Sequence, residues 1–204
     1  MDKRVIRPQP EEVLPEINRV LARAGCPPDS GEGFLGVAIG AAKILLKLAE
    51  PVAFSAELEV ISISDDSVEL EGFTIFSADM ARKLSGSETV SLFLATIGPA
   101  PEEECRVLAD ENRFIESLFL DAASSEMVEK LLRHLHHEAA GRMRGMRSTA
   151  RYAPGYGDFS LGHQARIVEL LGGGRTGVRV MDSSFMLVPK KSTTGVVGWK
   201  KQEN

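Results

Sequence analysis

The segment Arg151-Tyr-Ala-Pro-Gly-Tyr156 gathers residue types suited to holding a ligand. Proline presets φ at one corner of a turn and glycine accepts a positive φ at the next, so Pro154-Gly155 fixes the backbone between Arg151 and Tyr156. A guanidinium grips a carboxylate through two parallel hydrogen bonds, and a phenol ring offers its face to a cation. A ligand with both a carboxylate and a positive centre suits that pair, and S-adenosylmethionine is one such molecule. Further on, Ser184-Phe-Met-Leu-Val-Pro-Lys-Lys-Ser192-Thr-Thr-Gly195 supplies hydroxyls and backbone amides. Composition there supports a hairpin between two strands as well as a site wall built from Ser192 and Thr194.

Glu129 is the informative acid. Helical spacing projects it between Leu118, Ala122, Ser125 and Leu132, on an apolar stripe where an unpaired charge is costly. It needs either a nearby arginine or a cationic ligand group; Glu126 is the near alternative. Arg133, Arg142, Arg144 and Arg147 run toward Arg151, as a solvated helix end or as a docking face for an acidic partner. His134, His136 and His137 invite a metal hypothesis, and with it a metal-dependent hydrolase. However, 136 and 137 point different ways on a helix, and no acid-histidine zinc motif or cysteine lies nearby. His136 shares a face with Glu129 and could pair with it. Gly172-Gly-Gly-Arg-Thr-Gly177 lacks the Gly-Lys-Ser/Thr ending of a phosphate loop and follows a helix, so it reads as a turn.

The elements that carry these residues are mixed. A helical stripe runs over 11–24 with Pro15 in its first turn, and a second helix spans about 35–48, where Gly36 and Gly40 offer a smooth packing face. Alternation from Phe54 predicts two antiparallel strands turning at Asp65-Asp66, the second running on through Phe73 to Phe76. Ser77 caps a helix to Leu84, 89–97 is a buried strand, and Pro101 opens another helix. The longest helix covers about 112–142, with Ile115, Leu118, Phe119, Ala122, Val128, Leu132 and Leu135 on its apolar face; strands at 178–182, 185–188 and 196–199 close the chain. Without regular βαβ alternation, the fold class is α+β, a mostly antiparallel twisted sheet with flanking helices. One domain over 1–204 is expected, a helical segment (1–50) before an α+β body (51–204).

The 204 residues carry a net charge of −5 with histidines neutral, and 43% are hydrophobic. That balance argues against nucleic acid, whose binders carry a basic surplus. The most apolar run, 34–49, is too short for a bilayer, so no membrane partner is expected. No secretory signal is visible, and Cys26 and Cys105 form no disulfide framework or metal motif, which points to a cytoplasmic protein with reduced thiols.

The R-x-A-P-G-Y segment followed by S-F-x-x-x-P-x-x-S-x-[ST]-G resembles the reactivation domain of cobalamin-dependent methionine synthase, in particular its stand-alone relatives. The similarity extends back through Ala95-Thr-Ile-Gly98, Leu120-Asp-Ala-Ala123 and the helical stretch to His137, roughly the last half of the chain. The first ninety or so residues hold no counterpart of the aspartate that the large enzymes use near the start of this domain. The resemblance implies an accessory reactivation module. It would bind S-adenosylmethionine and support reductive methylation of cob(II)alamin carried by a separate methionine synthase or other corrinoid protein, with flavodoxin or another reductant supplying the electron. Arg151, Ala153, Pro154, Gly155, Tyr156, Glu129, Ser192 and Thr194 would line the ligand, with no catalytic nucleophile and no metal. By the same resemblance Glu129 meets the ligand's ammonium or orients Arg151. The alternative is a corrinoid-protein docking module of the same fold that does not bind S-adenosylmethionine.

Overall fold

The computed structural model describes residues 2–27 and 31–202. Its centre is strand β5 (Thr89–Thr96), whose side chains are buried on both faces of the sheet: Val90, Leu92 and Leu94 enter one core and Phe93 and Ala95 the other. β5 pairs antiparallel with β2 (Val52–Ile63) on one side and β9 (Ser192–Lys201) on the other, Phe93 opposite Gly195 and Thr96 opposite Ser192. The outer edge of β2 is shared by β1 (Asp2–Ile6) and β3 (Ser67–Leu70); β4 (Phe73–Phe76) follows β3, and β6 (Met146–Ser148) lies beyond β9. A separate hairpin joins β7 (Arg179–Val180) to β8 (Leu187–Val188). The architecture is α+β with a mostly antiparallel sheet, as composition and pattern predict.

One face of the sheet carries α1 (Ile17–Arg23), α2 (Glu32–Leu48), α4 (Ala100–Asp110) and α5 (Phe114–Arg142); the other carries α3 (Ala78–Leu84) and α6 (His163–Leu171). Trp199 anchors the first core, and its indole N–H, which needs a partner when buried, donates to Ser91 Oγ at 2.8 Å. Ser77 caps α3 as expected, accepting from the Met80 amide.

Several local expectations give way to the structure. Pro15 does not open a helix over 11–24; it separates a 3-10 turn (Pro10–Val13) from α1, because the residue before a proline resists the α region. Gly36 and Gly40 face open space, and α2 packs instead through Ala38, Ala41, Ala42 and Leu45. Gly72, at φ 76°, turns the chain between β3 and β4, so Val68 to Phe76 is a hairpin and not one strand. Ile115 and Leu118 are exposed although they share the apolar stripe. Ser192 to Gly195 is not a loop: it is the start of β9, because its residues find β5 as a partner.

Candidate functional site

Beyond the three residues of β6 the chain stays beside β9. The Thr149 amide donates to Gly198 O at 2.8 Å, and Tyr152 exchanges two backbone bonds with Val196 at 2.9 and 2.7 Å. The alternation that turns the Val196 N–H outward turns that of Thr194 to the same edge, where no strand among the described residues covers it. A cleft of about 430 Å³ opens there, lined by Lys83, Glu129, Leu132, Arg151, Tyr152, Ala153, Tyr156, Thr193 and Thr194. It straddles the sheet edge, with α5 on one side and the end of α3 on the other.

Arg151 reaches α5 across Gly195 and donates from Nη2 to Glu129 Oε2 at 2.8 Å. Their side chains are 22% and 35% exposed, so the pair is desolvated on one side and open to the cleft on the other. Tyr156 stands 69% exposed at the rim, while Tyr152 lies deeper, with Lys83 Nζ 4.4 Å from its ring centroid. Leu132 supplies an apolar floor.

The turn between Arg151 and Tyr156 is held on both flanks. Pro154 is buried, Gly155 has φ 99°, its amide donates to Phe159 O at 2.6 Å, and the Tyr156 amide donates to Ala153 O at 3.4 Å. Gly157, at φ 59°, lies against Asp79, where a Cβ would come within 2.1 Å of Oδ2. Asp158 then accepts from the Ser77 hydroxyl and from the amides of Ala78 (2.8 Å) and Asp79 (3.2 Å) at the start of α3. These bonds hold the Asp158 carboxyl below the usual carboxylate range, the Ser77 hydroxyl contributing most. The loop bearing Arg151 and the helix bearing Lys83 are thereby one unit.

Five of the eight residues expected at the site line this cleft: Glu129, Arg151, Ala153, Tyr156 and Thr194. Pro154 and Gly155 shape the turn behind it. Ser192 lies further along β9, outside the cleft, its hydroxyl donating to Thr96 Oγ1 at 2.9 Å. Glu126 is buried and taken by Arg23 at 2.6 Å, which leaves Glu129 as the acid of the cleft. Thr193 belongs to the hydroxyl-rich stretch expected to meet polar ligand groups, whereas Lys83, Leu132 and Tyr152 were not expected at the site. Leu132 lies one helical turn from Glu129 and Tyr152 within the motif itself, so both were within reach; Lys83 carries no signal in its local sequence.

The remaining candidates resolve into structure. Arg142 donates to Glu57 at 2.6 Å and does not belong to an exposed basic face, whereas Arg133, Arg144 and Arg147 are exposed. Among the described residues no group of three or more His, Cys, Asp or Glu could hold a metal ion. His134 faces Glu138 at 3.6 Å, while His136 sits against the rings of Phe93 and Trp199, at 6.0 and 5.7 Å between centroids. It does not pair with Glu129, which Arg151 occupies. Burial, then the Arg151 and His137 charges, push the His136 imidazole down from its ordinary pKa.

No protein-family model matches the sequence, and no curated protein does. Among solved structures, the chain superposes on the MetH reactivation domain bound to AdoHcy with a TM-score of 0.74, over 100% of this chain and 80% of that one, at 12% identity. The fold is that of this reactivation domain. The match runs through the first half of the chain as well, where the sequence resemblance is loose. Among the described residues, no helix is long and apolar enough to cross a membrane.

Proposed function

We propose that this chain, acting as one domain, binds S-adenosylmethionine in the cleft beside β9 and supports reductive methylation of a corrinoid cofactor on a separate protein. The observation that carries the reading is Arg151, oriented by Glu129 and aimed with it into an open cleft of small-molecule size. The fold neighbour that was bound to AdoHcy, the demethylated form of the same ligand, supports it.

The residues fit such a ligand. Arg151 offers its remaining N–H donors to the carboxylate, and Glu129 has a second oxygen for the ammonium. The Ala153 backbone, the Thr194 amide and the Thr193 hydroxyl bond polar groups, and Tyr156 covers the adenosyl portion from the rim. S-adenosylmethionine supplies an electrophilic methyl group, so the chain needs no nucleophile of its own; its work is orientation and exclusion of water. The corrinoid belongs to a cobalamin-dependent methionine synthase or another corrinoid protein, with flavodoxin or another reductant as electron source, in the cytoplasm.

Calorimetric titration with S-adenosylmethionine tests the reading, with Arg151→Ala as control. Saturable heat that the variant loses supports it. No heat at millimolar ligand, alone and with a cob(II)alamin-loaded partner, would overturn ligand binding and leave a docking module that caps a corrinoid protein.

A further inference from the structure

We infer that Lys83 makes the cleft read the charge on the ligand's sulfur, so that a neutral thioether is held more tightly than a sulfonium. The inference rests on the reading above and goes beyond it by assigning a specificity-determining residue.

Lys83 stands in the last turn of α3 and lines the cleft together with Arg151 and Glu129. Its neighbour Arg82 is paired with Asp79, but among the described residues no carboxylate pairs with Lys83. Glu129, the one acid among the described residues lining the cleft, is committed to Arg151. The cleft therefore presents two cations against one anion. An aromatic face is what such a site could offer a ligand cation, and the Lys83 ammonium already lies over Tyr152, 4.4 Å from its centroid. A sulfonium seated at the Tyr152 ring would meet a like charge there, leaving the exposed rim ring of Tyr156 as its aromatic face. S-adenosylhomocysteine carries the same carboxylate, ammonium and adenosine without that charge, so it escapes the repulsion and keeps every contact with Arg151 and Glu129.

The same arrangement bears on methyl transfer. As the methyl group leaves to a nucleophile's electron pair, the C–S pair stays on sulfur and the positive charge there is discharged. A cation near the sulfur would thus disfavour the sulfonium ground state relative to the thioether product.

The test is calorimetric titration of the full chain with S-adenosylmethionine and S-adenosylhomocysteine, in the wild type and in Lys83→Met, Lys83→Gln and Lys83→Arg, with circular dichroism and thermal melting to verify folding. The wild type should prefer the thioether about tenfold, equivalent to ~1.4 kcal/mol. The Met and Gln variants should bring the ratio toward unity by tightening the sulfonium, and Lys83→Arg should retain it. A wild-type ratio of one or less, or a ratio unchanged in the neutral variants, overturns the inference while both ligands still bind. Failure of both ligands to bind the wild type overturns the S-adenosyl reading itself, and this inference with it.

Discussion

The stem of Arg151 lies across Gly195, so close that a Cβ added to the glycine would come within 2.9 Å of Arg151 Cδ and 3.1 Å of Cγ. Gly195 sits opposite Phe93 in the β5–β9 ladder, and its backbone makes no special demand on φ. Absence of a side chain, and not conformational freedom, is what the position requires. Gly195→Ala should lift Arg151 off the strand and away from Glu129. Binding of S-adenosylmethionine should weaken tenfold or more by titration, while overpacking lowers stability by about 1–2 kcal/mol in urea. A variant with wild-type affinity would show that the seating of Arg151 is immaterial to the ligand.

Glu129 separates a structural ion pair from a ligand-orienting one. A pair this open to water contributes little to folding, under about 1 kcal/mol. Glu129→Gln should therefore leave the thermal midpoint within a few degrees of the wild type and still weaken ligand binding strongly, because Arg151 loses its orienting charge and the ammonium its acceptor. If affinity persists and only the melt shifts, the pair is scaffolding.

Asp158 predicts how the cleft responds to acid. Its carboxyl titrates lower in the folded chain than in the unfolded one, chiefly through the Ser77 hydroxyl and then the α3 amides. The stabilisation is complete above the ordinary carboxylate pKa and is lost as pH falls through the depressed folded value. Asp158→Asn should flatten the dependence of the urea midpoint on pH below about pH 4. It should also loosen the 151–158 loop from α3, so ligand affinity at neutral pH should fall even though Asp158 does not line the cleft.

Residues close in sequence were the legible part of this site. The Pro154-Gly155 turn, the cap at Ser77 and the helix carrying Glu129 are set by local chemistry, so Arg151 and Tyr156 could be named from residue type and turn, whereas Ala153 and the ligand role of Glu129 came from the family resemblance. Lys83 could not, because its proximity to Tyr152 depends on Asp158 and Gly157 docking on α3, a contact between segments far apart in the chain. Ser192 was misleading for a related reason. Its hydroxyl-rich neighbourhood reads as a loop until β5 is seen to pair with it; Ser192 and Thr194 then share one face of β9, where the Ser192 hydroxyl meets Thr96 and that of Thr194 meets Gln164. The same limit applies to Ile115 and Leu118: periodicity gives the apolar stripe of α5, but not which of its positions another element covers.

His136 offers a reporter of the cleft. It lies between Phe93 and Trp199, where burial first, then the charges of Arg151 and His137, depress its imidazole pKa. The folded state therefore takes up this proton less readily than the unfolded chain, so stability falls as pH drops below the unfolded value of about 6.5 toward the lower folded one. His136→Phe should remove that part of the pH dependence. Because Arg151 is the second cause of the shift, Arg151→Ala should move the His136 titration upward in an NMR experiment, and so should a ligand carboxylate that neutralises the guanidinium. An upward shift with S-adenosylmethionine in the wild type, and none in Arg151→Ala, would locate the carboxylate at Arg151. An unmoved His136 in both would place it elsewhere.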